Sequence, residues 1–371
     1  MHFIYLFIIL PVLLFSQTIQ FKSEDTNITV EKIASNLGVV WGMTFISDNE
    51  LLFTVKTGKI ALLNIKTKEI KNISNISNTQ NLNYTGQGGL LDVQKSPNFS
   101  KDNELFFTYV KEIKGKSTTV LAKAKLQNNK LINWNDLFIS QAFSDTSRHF
   151  GSRITFDEEG HLYFSIGDRG VRENSQNLSN HAGSIIRLNL DGSIPSDNPF
   201  INKKDALPEI YTYGHRNPQG LFYDKTSKNL WSIEHGPRGG DEINLIEKGK
   251  NYGWPIISYG KEYWNDSAVG ESTAKEGMQQ PIKYYIPSIA PSSLMVYNGD
   301  LFKKYKGNIF SGALKLTHLN RIVLDKSNNV IKEERLLENL NERIRNVIQS
   351  SDGKIYISSD SGNIYMLSTK N

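Results

Sequence analysis

A two-strand unit recurs along this chain, and its spacing is the strongest constraint on the fold. In each copy, an apolar run is followed by a short turn and a second, aromatic-rich run. The paired runs cover residues 41–45 with 51–55, 90–93 with 105–109, 153–156 with 162–166, 220–223 with 230–233, 293–297 with 308–312, and 345–348 with 354–358. Copies at intervals of roughly 50 to 70 residues match the radial repetition of small antiparallel sheets. We therefore predict an all-β, six-bladed β-propeller.

Two further segments indicate how such a ring would close. Residues 28–32 and 363–367 are both strand-like, and pairing them would shut the open edge of the sheet. Within the repeated units, residues 157–160 and 350–353 have the acidic and glycine composition of hairpin turns. A β-sandwich with long insertions is the alternative, but it does not explain the even spacing.

The N-terminal segment is apolar and lacks Lys, Arg, Asp and Glu through residue 16. This pattern predicts a signal peptide over residues 1–17, followed by a single propeller domain over 18–371. A transmembrane anchor is the alternative, but the run is shorter than the roughly 20 residues that a bilayer requires. We expect an exported protein, periplasmic or secreted, without a stable membrane anchor.

The composition excludes several classes of site and partner. The chain has no cysteine, so disulfides, thiolate metal sites and catalytic thiols are excluded. Its formal net charge is +5, but Lys and Arg are not gathered into a basic run with interleaved aromatics. We therefore expect no nucleic-acid partner. A monomer and a homodimer are both compatible with the sequence.

Polar residues of unusual density follow several of the predicted strands. Residues 214–220 (GHRNPQG) and 234–242 (EHGPRGGDE) are loops in which glycines permit close approach to a ligand and polar side chains supply donors and acceptors. The aromatic-rich stretch 249–277 is longer than a blade turn and is expected to wall a site. Further polar residues come from other blades and would converge at the channel of a propeller: Gln87, His149, Asp168, Lys315, Arg343 and Arg345.

These motifs carry a specific resemblance. Four sequence motifs occur in the same order as in the soluble glucose/sorbosone dehydrogenase family. They cover residues 214–220, 234–237 with 240–242, 251–255 and 343–345. The chain resembles that family over roughly residues 25–368. The resemblance implies an exported six-bladed propeller that uses pyrroloquinoline quinone (PQQ) and calcium.

The resemblance assigns candidate residues to the cofactor, a planar quinone with three carboxylates. Such a ligand calls for several cations, preferably forked guanidinium groups. The residues at the matching positions are Arg216, Lys315, Arg343 and Arg345, with Gln87, Asn217 and Gln219 as polar neighbours. In the alternative reading, Arg343 and Arg345 only pair with nearby acids on one strand face.

His149 matches the general base of the family, which removes the proton from the C1 hydroxyl of a sugar. The alternative is a structural histidine at a strand start. Arg216 would also polarise the quinone oxygen as negative charge develops there. Asp168 is expected to hold a loop, whereas the roles of His215 and His235 stay open between loop orientation and catalysis.

The resemblance also implies calcium, a hard ion that takes six to eight oxygen ligands. The carbonyls of Gly236 and Pro237 are the candidates beside the quinone. A second, structural calcium would use Asp241, Glu242 and the Tyr252 carbonyl, with Glu262 as a further candidate; otherwise Asp241 and Glu242 only cap a turn. Arg148 replaces an acid of the glucose-specialised members, which argues against strict glucose specificity.

Together these features predict oxidation of the C1 hydroxyl of aldose sugars to lactones, with electrons passed to an external acceptor. A metal-dependent lactonase and a non-catalytic glycan- or protein-binding propeller are the alternatives. A lactonase has no use for the cations Lys315, Arg343 and Arg345. A binding module does not require His149 and Arg216, and both are present.

Overall fold

The computed structural model describes residues 18–76 and 80–369, and strands dominate this part of the chain. There the strands form five four-stranded sheets and one five-stranded sheet. The prediction of an all-β, six-bladed propeller is therefore confirmed. The predicted signal peptide at 1–17 lies outside the described residues. Among the described residues, no helix is long and apolar enough to span a membrane.

The described chain begins with β1 (Thr18–Lys22) and β2 (Asn27–Ala34), which belong to the last blade. Blade 1 contains β3 (Val40–Phe45), β4 (Glu50–Val55), β5 (Lys59–Asn64) and β6 (Ile70–Asn75). Blade 2 contains β7 (Leu90–Lys95), β8 (Glu104–Ile113), β9 (Lys116–Gln127) and β10 (Lys130–Ile139). Blade 3 contains β11 (Ile154–Phe156), β12 (His161–Ile166), β13 (Ser184–Asn189) and β14 (Ile210–Tyr213).

Blade 4 contains β15 (Pro218–Asp224), β16 (Asn229–Glu234), β17 (Asp241–Ile246) and β18 (Lys283–Tyr285). Blade 5 contains β19 (Pro291–Val296), β20 (Ile309–Ala313), β21 (Leu319–Leu324) and β22 (Val330–Leu336). Blade 6 contains β23 (Ile344–Gln349), β24 (Ile355–Ser359) and β25 (Ile364–Thr369), followed by β2 and β1. The helical segments of the described chain are short: α1 (Phe99–Asp102) and 3-10 turns at Arg172–Gln176, Lys303–Tyr305 and Glu338–Leu340.

The first strand of every blade faces the centre of the ring. Each of these strands contacts the first strand of the next blade, and β23 of blade 6 contacts β3 of blade 1. The ring is closed within blade 6, where β2 pairs antiparallel with β25, from Ile28 opposite Thr369 to Ala34 opposite Ile364. The predicted closure is confirmed, and the sheet edge that an open ring would expose is covered.

Packing between neighbouring blades explains why the second strands are continuously apolar. In β4, the side chains of Leu51, Leu52 and Phe53 are fully buried. Leu62 of blade 1 and Phe107 of blade 2 lie in one apolar cluster, so each sheet is covered on both faces by its neighbours. In the sequence, strands buried on both faces are short apolar runs in which apolar and polar residues do not alternate. The repeated units were identified from such runs.

The predicted excursion at 249–277 lies between β17 and β18 of blade 4. Its first residues fold against the loop that begins at Gly214, where the Trp254 amide donates to the Gly214 carbonyl at 2.9 Å. Gly214 has a φ of 79°, and a Cβ there would collide with the Asn251 side chain. Only glycine fits both conditions. This contact places the Trp254 ring beside the polar loops of blades 3 and 4.

Candidate functional site

A cavity of about 330 Å³ lies where the first strands of several blades end. Its size is at the lower end of the range for small-molecule sites. Its walls contain five of the predicted cofactor residues: Gln87, Asn217, Gln219, Arg343 and Arg345. These residues come from blades 4 and 6 and from the segment before blade 2. The propeller hypothesis predicted that they would converge at the channel.

One wall of the cavity is strongly cationic. Arg345 binds both oxygens of Asp360, from Nε at 2.8 Å and from Nη2 at 2.9 Å, and Arg343 Nε donates to the same carboxylate at 3.0 Å. Lys56 also lines the cavity. Burial lowers the pKa of Lys56, and the charge of Arg345 acts in the same direction. With three cations against one carboxylate, this wall favours an anionic ligand.

The alternative interpretation from the sequence was that Arg343 and Arg345 only pair with nearby acids, and it is correct in part. They do pair with an acid, Asp360, but the pairing leaves an excess of positive charge. Lys56 and Asp360 were not among the predicted site residues. Lys56 sits in a Lys-Thr-Gly-Lys turn between β4 and β5, where a lysine is ordinary, so only the three-dimensional arrangement distinguishes it.

Lys315 is placed differently from the two arginines. Its side chain is exposed and is not among those that line the cavity. The preceding residue, Leu314, does line it, and its carbonyl accepts a hydrogen bond from Arg343 Nη1 at 2.9 Å. Lys315 is thus adjacent to the cavity rim, and its role as a cofactor ligand stays a prediction.

Two buried amides supply directional donors and acceptors. Gln219 Nε2 donates to the Gly151 carbonyl at 3.2 Å and contacts Asn217 Oδ1 at 3.3 Å. The Asn217 Nδ2 group is buried and has no hydrogen-bond partner in the structure. An unsatisfied buried donor is costly, and a ligand acceptor in the cavity would remove that cost.

His149 is not among the residues that line this cavity, but it is held by two other side chains, one of which, Gln87, does line it. Its backbone amide donates to Gln87 Oε1 at 2.8 Å, and its Nδ1 is 2.6 Å from Asp168 Oδ1. The residue is buried and has a φ of 58°, an uncommon conformation for a non-glycine residue. Burial lowers the pKa of His149, and the charges of Arg216 and Arg148 act with it against the opposing effect of Asp168.

Asp168 does more than hold a loop. Its Oδ1 also accepts from the Gly170 amide at 2.6 Å, and its Oδ2 accepts from Trp254 Nε1 at 2.8 Å. Burial acts to raise the pKa of Asp168, but the hydrogen bond and charge of His149, together with the charge of Arg216, hold it below the ordinary value. An ionised, fully bonded carboxylate therefore orients the His149 ring.

Arg216 connects the polar loops of blade 4. Its Nη1 donates to the carbonyls of Gly236 at 2.7 Å and His235 at 3.2 Å, and its guanidinium lies 5.3 Å from the centre of the Trp254 ring. The Gly236 carbonyl, predicted as a calcium ligand, thus already accepts one hydrogen bond. A carbonyl oxygen has two lone pairs, so it can also bind a cation, provided that an anionic ligand offsets the guanidinium charge.

The two histidines left open by the sequence have different surroundings. His215 is fully buried, with Nδ1 at 2.9 Å from Glu234 Oε1 and Nε2 at 2.9 Å from Thr212 Oγ1. Both ring nitrogens are occupied, so His215 orients its loop. His235 lines the cavity, and its Nε2 lies 2.6 Å from the Pro291 carbonyl. Burial, reinforced by the charge of Arg216, lowers the pKa of His235 to about 3, so its ring is neutral.

The candidates for a second calcium separate into two groups. Glu242 and Tyr252 line a small cavity of about 10 Å³ together with Glu234. Burial raises the pKa of Glu242 to about 8, and the negative charge of Glu234 contributes to this shift. Arg216 and Gly236 also line this cavity, whose two adjacent carboxylates suit one hard ion of about the size of a water molecule. Glu234 was missed because nothing in the sequence distinguishes it from a strand-end acid.

The other two candidates use their carboxylates elsewhere. Asp241 accepts hydrogen bonds from the Gly236 amide at 2.9 Å, the Ser288 hydroxyl at 2.7 Å, and the amides of Ile289 and Ala290. It thus caps the loop after β18, as the alternative interpretation of this residue expected. Glu262 forms a two-point ion pair with Arg172, at 2.6 and 2.7 Å.

Comparison with known proteins agrees with this geometry. The model of the family described as "Glucose / Sorbosone dehydrogenase" matches residues 37–367. The chain is 34% identical to aldose sugar dehydrogenase YliI of Escherichia coli over 98% of this chain and 99% of the relative. It is 28% identical to quinoprotein glucose dehydrogenase B of Acinetobacter calcoaceticus, covering 92% of this chain and 88% of the relative.

The fold comparison leads to the same group. The crystal structure of the soluble aldose sugar dehydrogenase from Escherichia coli, in the apo-form, superimposes with a TM-score of 0.87 at 33% identity, covering 92% of this chain and all of that chain. Sequence and fold therefore match over nearly the whole described region. The chain belongs to the glucose/sorbosone dehydrogenase family and is an oxidoreductase of the quinoprotein type found in it.

Proposed function

We propose that this protein is a PQQ- and calcium-dependent aldose dehydrogenase that oxidises the C1 hydroxyl of a pyranose to the lactone. The observation that carries the proposal is the oriented His149–Asp168 pair, which Gln87 joins to a cavity whose wall holds three cations. A general base next to an anion-binding cavity is the arrangement that a base-assisted, quinone-dependent oxidation requires.

The residues present fit PQQ. Lys56, Arg343 and Arg345 would bind its carboxylates, and the unpaired Asn217 Nδ2 would donate to one of its oxygens. Arg216 donates a hydrogen bond to the carbonyl of His235, which lines the cavity, and its positive charge would counter negative charge that develops on the cofactor. When bound, the quinone supplies the two-electron oxidant that takes up the C1 hydrogen with its electron pair.

His149 would take the other proton. Asp168 is ionised and can only accept, so His149 Nδ1 carries the hydrogen between them and Nε2 has the free lone pair. The lone pair at Nε2 would accept the proton of the C1 hydroxyl. The sugar thereby loses two electrons and two hydrogens, and its C1–O single bond becomes the lactone C=O bond.

Calcium has two proposed positions. The Gly236 and Pro237 carbonyls would bind an ion beside the cofactor, where it acts as a Lewis acid. Glu234, Glu242 and the Tyr252 carbonyl would bind a structural ion in the small cavity. The two electrons taken from the sugar would pass on to an external acceptor. The apolar residues 1–16, which lack Lys, Arg, Asp and Glu, support an exported enzyme.

The direct test is reduction of a redox dye by purified protein with a panel of aldoses. The assay is run with PQQ and calcium added separately and together. We expect activity when both are present, with no strict preference for glucose. Absence of both dye reduction and PQQ binding would contradict the proposal and favour a metal-dependent lactonase or a non-catalytic glycan- or protein-binding propeller.

A further inference from the structure

Two adjacent aromatic side chains stand exposed on the excursion of blade 4. Trp264 has 73% of its surface exposed and Tyr263 has 60%. We call this pair the aromatic platform. Large aromatic groups with such exposure commonly mark a binding surface, because leaving them in water has a cost that a ligand can remove.

The platform lies beside a partly buried ion pair. The guanidinium of Arg172 lies 5.9 Å from the centre of the Trp264 ring and 5.5 Å from that of Trp254. Glu262 fixes this guanidinium through two hydrogen bonds, at 2.6 and 2.7 Å. The Trp264 ring is therefore oriented before any ligand arrives, which reduces the entropy that binding would cost.

The platform is continuous with the candidate active site. The Tyr263 hydroxyl is 3.4 Å from Arg216 Nη2. On the other side, Arg172 leads through Trp254 to Asp168, which orients His149. Tyr263 thus contacts Arg216 directly, whereas Trp264 is connected to His149 through Arg172, Trp254 and Asp168.

We propose that Tyr263 and Trp264 form a second saccharide subsite, which binds the sugar unit next to the one being oxidised. The inference rests on the proposed aldose dehydrogenase function and identifies its preferred substrates as reducing oligosaccharides. A pyranose ring presents a face of C–H groups that packs on an aromatic ring, while its hydroxyls can bond the polar groups beside the platform. The charged pair Arg172–Glu262 lies in that position.

A sugar suits this surface better than a partner protein does. The two rings lie beside the charged pair Arg172 and Glu262, and the apolar surface they expose is that of two aromatic side chains. Stable protein interfaces bury roughly 800 Å² on each partner.

The test compares Trp264→Ala with Trp264→Phe, which keeps an aromatic ring. Glucose, maltotriose and cellotriose are the substrates, and the quantity compared is kcat/KM for each trisaccharide divided by kcat/KM for glucose. We expect Trp264→Ala to lower this ratio roughly tenfold for at least one trisaccharide, and Trp264→Phe to restore most of it. Ile331→Ala, on the exposed face of β22, is the control and should leave the ratio unchanged.

A second measurement does not depend on turnover. Maltotriitol and cellotriitol, whose first unit is reduced and cannot be oxidised to a lactone, are titrated into the protein while tryptophan fluorescence is followed. Saturable binding that Trp264→Ala removes supports the subsite even if the protein oxidises no aldose, a result that would count against the proposed function alone. An unchanged kcat/KM ratio in Trp264→Ala, or no binding of either alditol by the wild type, overturns the subsite.

Discussion

At the scale of single residues, the local chemistry depends on how His149 is held. Its amide is bonded by Gln87, its ring by Asp168, and its backbone adopts the left-handed conformation. Strain of this kind persists only where surrounding contacts determine it, and it is common at functional sites. The ring is therefore positioned by the fold before a substrate binds.

Replacing His149 by alanine should separate catalysis from cofactor binding. We expect kcat to fall by about 10²- to 10⁴-fold, the usual contribution of a positioned general base. PQQ affinity, measured by titration of the quinone absorbance, should change little because the cationic wall is untouched. The control is His161→Ala, at the first residue of β12. Normal turnover by His149→Ala would exclude it as the base.

The pH dependence of kcat should report the environment of His149. The neutral ring is the base, so kcat falls as pH decreases through the pKa of His149, which burial holds below its ordinary value of 6.5. The acidic limb should therefore lie below pH 6.5. Asp168 acts to raise that pKa, so Asp168→Asn should move the limb to still lower pH and also reduce kcat. A limb that stays in place in this variant would refute the coupling.

At the scale of elements, the first two strands of each blade and the closing pair β2 and β25 could be predicted, whereas outer strands such as β10 and β18 could not. The runs around Leu52 and Phe107 are buried between blades, so their apolar character survives in the sequence. β10 is largely half-buried, and β18 is only three residues long, so neither has a clear period. Some residues of the candidate site could likewise be predicted and others could not. Arg343 and Arg345 belong to a recognisable motif. Lys56 and Asp360 lie in ordinary turns, and only the folded ring shows that they line one cavity.

The closing strand β2 provides an element-scale prediction. Val30 is 1% exposed and pairs with Leu367 of β25. Val30→Asp places an unpaired charge in this contact, and the free energy of unfolding should fall by about 3 kcal/mol or more. Urea unfolding followed by tryptophan fluorescence measures the loss. Asn27→Asp, on the exposed start of the same strand, should change stability by less than about 0.5 kcal/mol.

At the scale of the whole molecule, calcium and PQQ should bind cooperatively. The Gly236 carbonyl lies beside the Arg216 guanidinium, which repels a cation until the anionic cofactor offsets its charge. Saturating PQQ should therefore raise calcium affinity, and calcium should raise PQQ affinity by the same factor, because linkage is reciprocal. Titration of PQQ with calcium and with a chelator measures that factor. Equal PQQ affinities in the two conditions would place the ion away from the cofactor.

One buried guanidinium joins all six blades in the described structure. Arg153, at the start of blade 3, binds Asp92 of blade 2 at 2.9 Å and lies 4.0 Å from the Trp41 ring of blade 1. It also donates to three backbone carbonyls, of Gln219 in blade 4, Ser292 in blade 5 and Arg345 in blade 6. Trp41, Gln219 and Arg345 line the cavity proposed for the cofactor, so the same contact that holds the ring together also sets the shape of that cavity.

Arg153→Met should therefore weaken both the fold and the site. It leaves the buried Asp92 carboxylate without its partner, a loss worth about 3 to 5 kcal/mol of unfolding free energy. The double variant Asp92→Asn/Arg153→Met removes that charge as well and should regain part of the stability, as measured by thermal and urea unfolding. PQQ affinity should stay low in both variants, since the carbonyls of Gln219 and Arg345 have lost their common donor. Full recovery of PQQ affinity in the double variant would show that Arg153 acts only through the Asp92 charge.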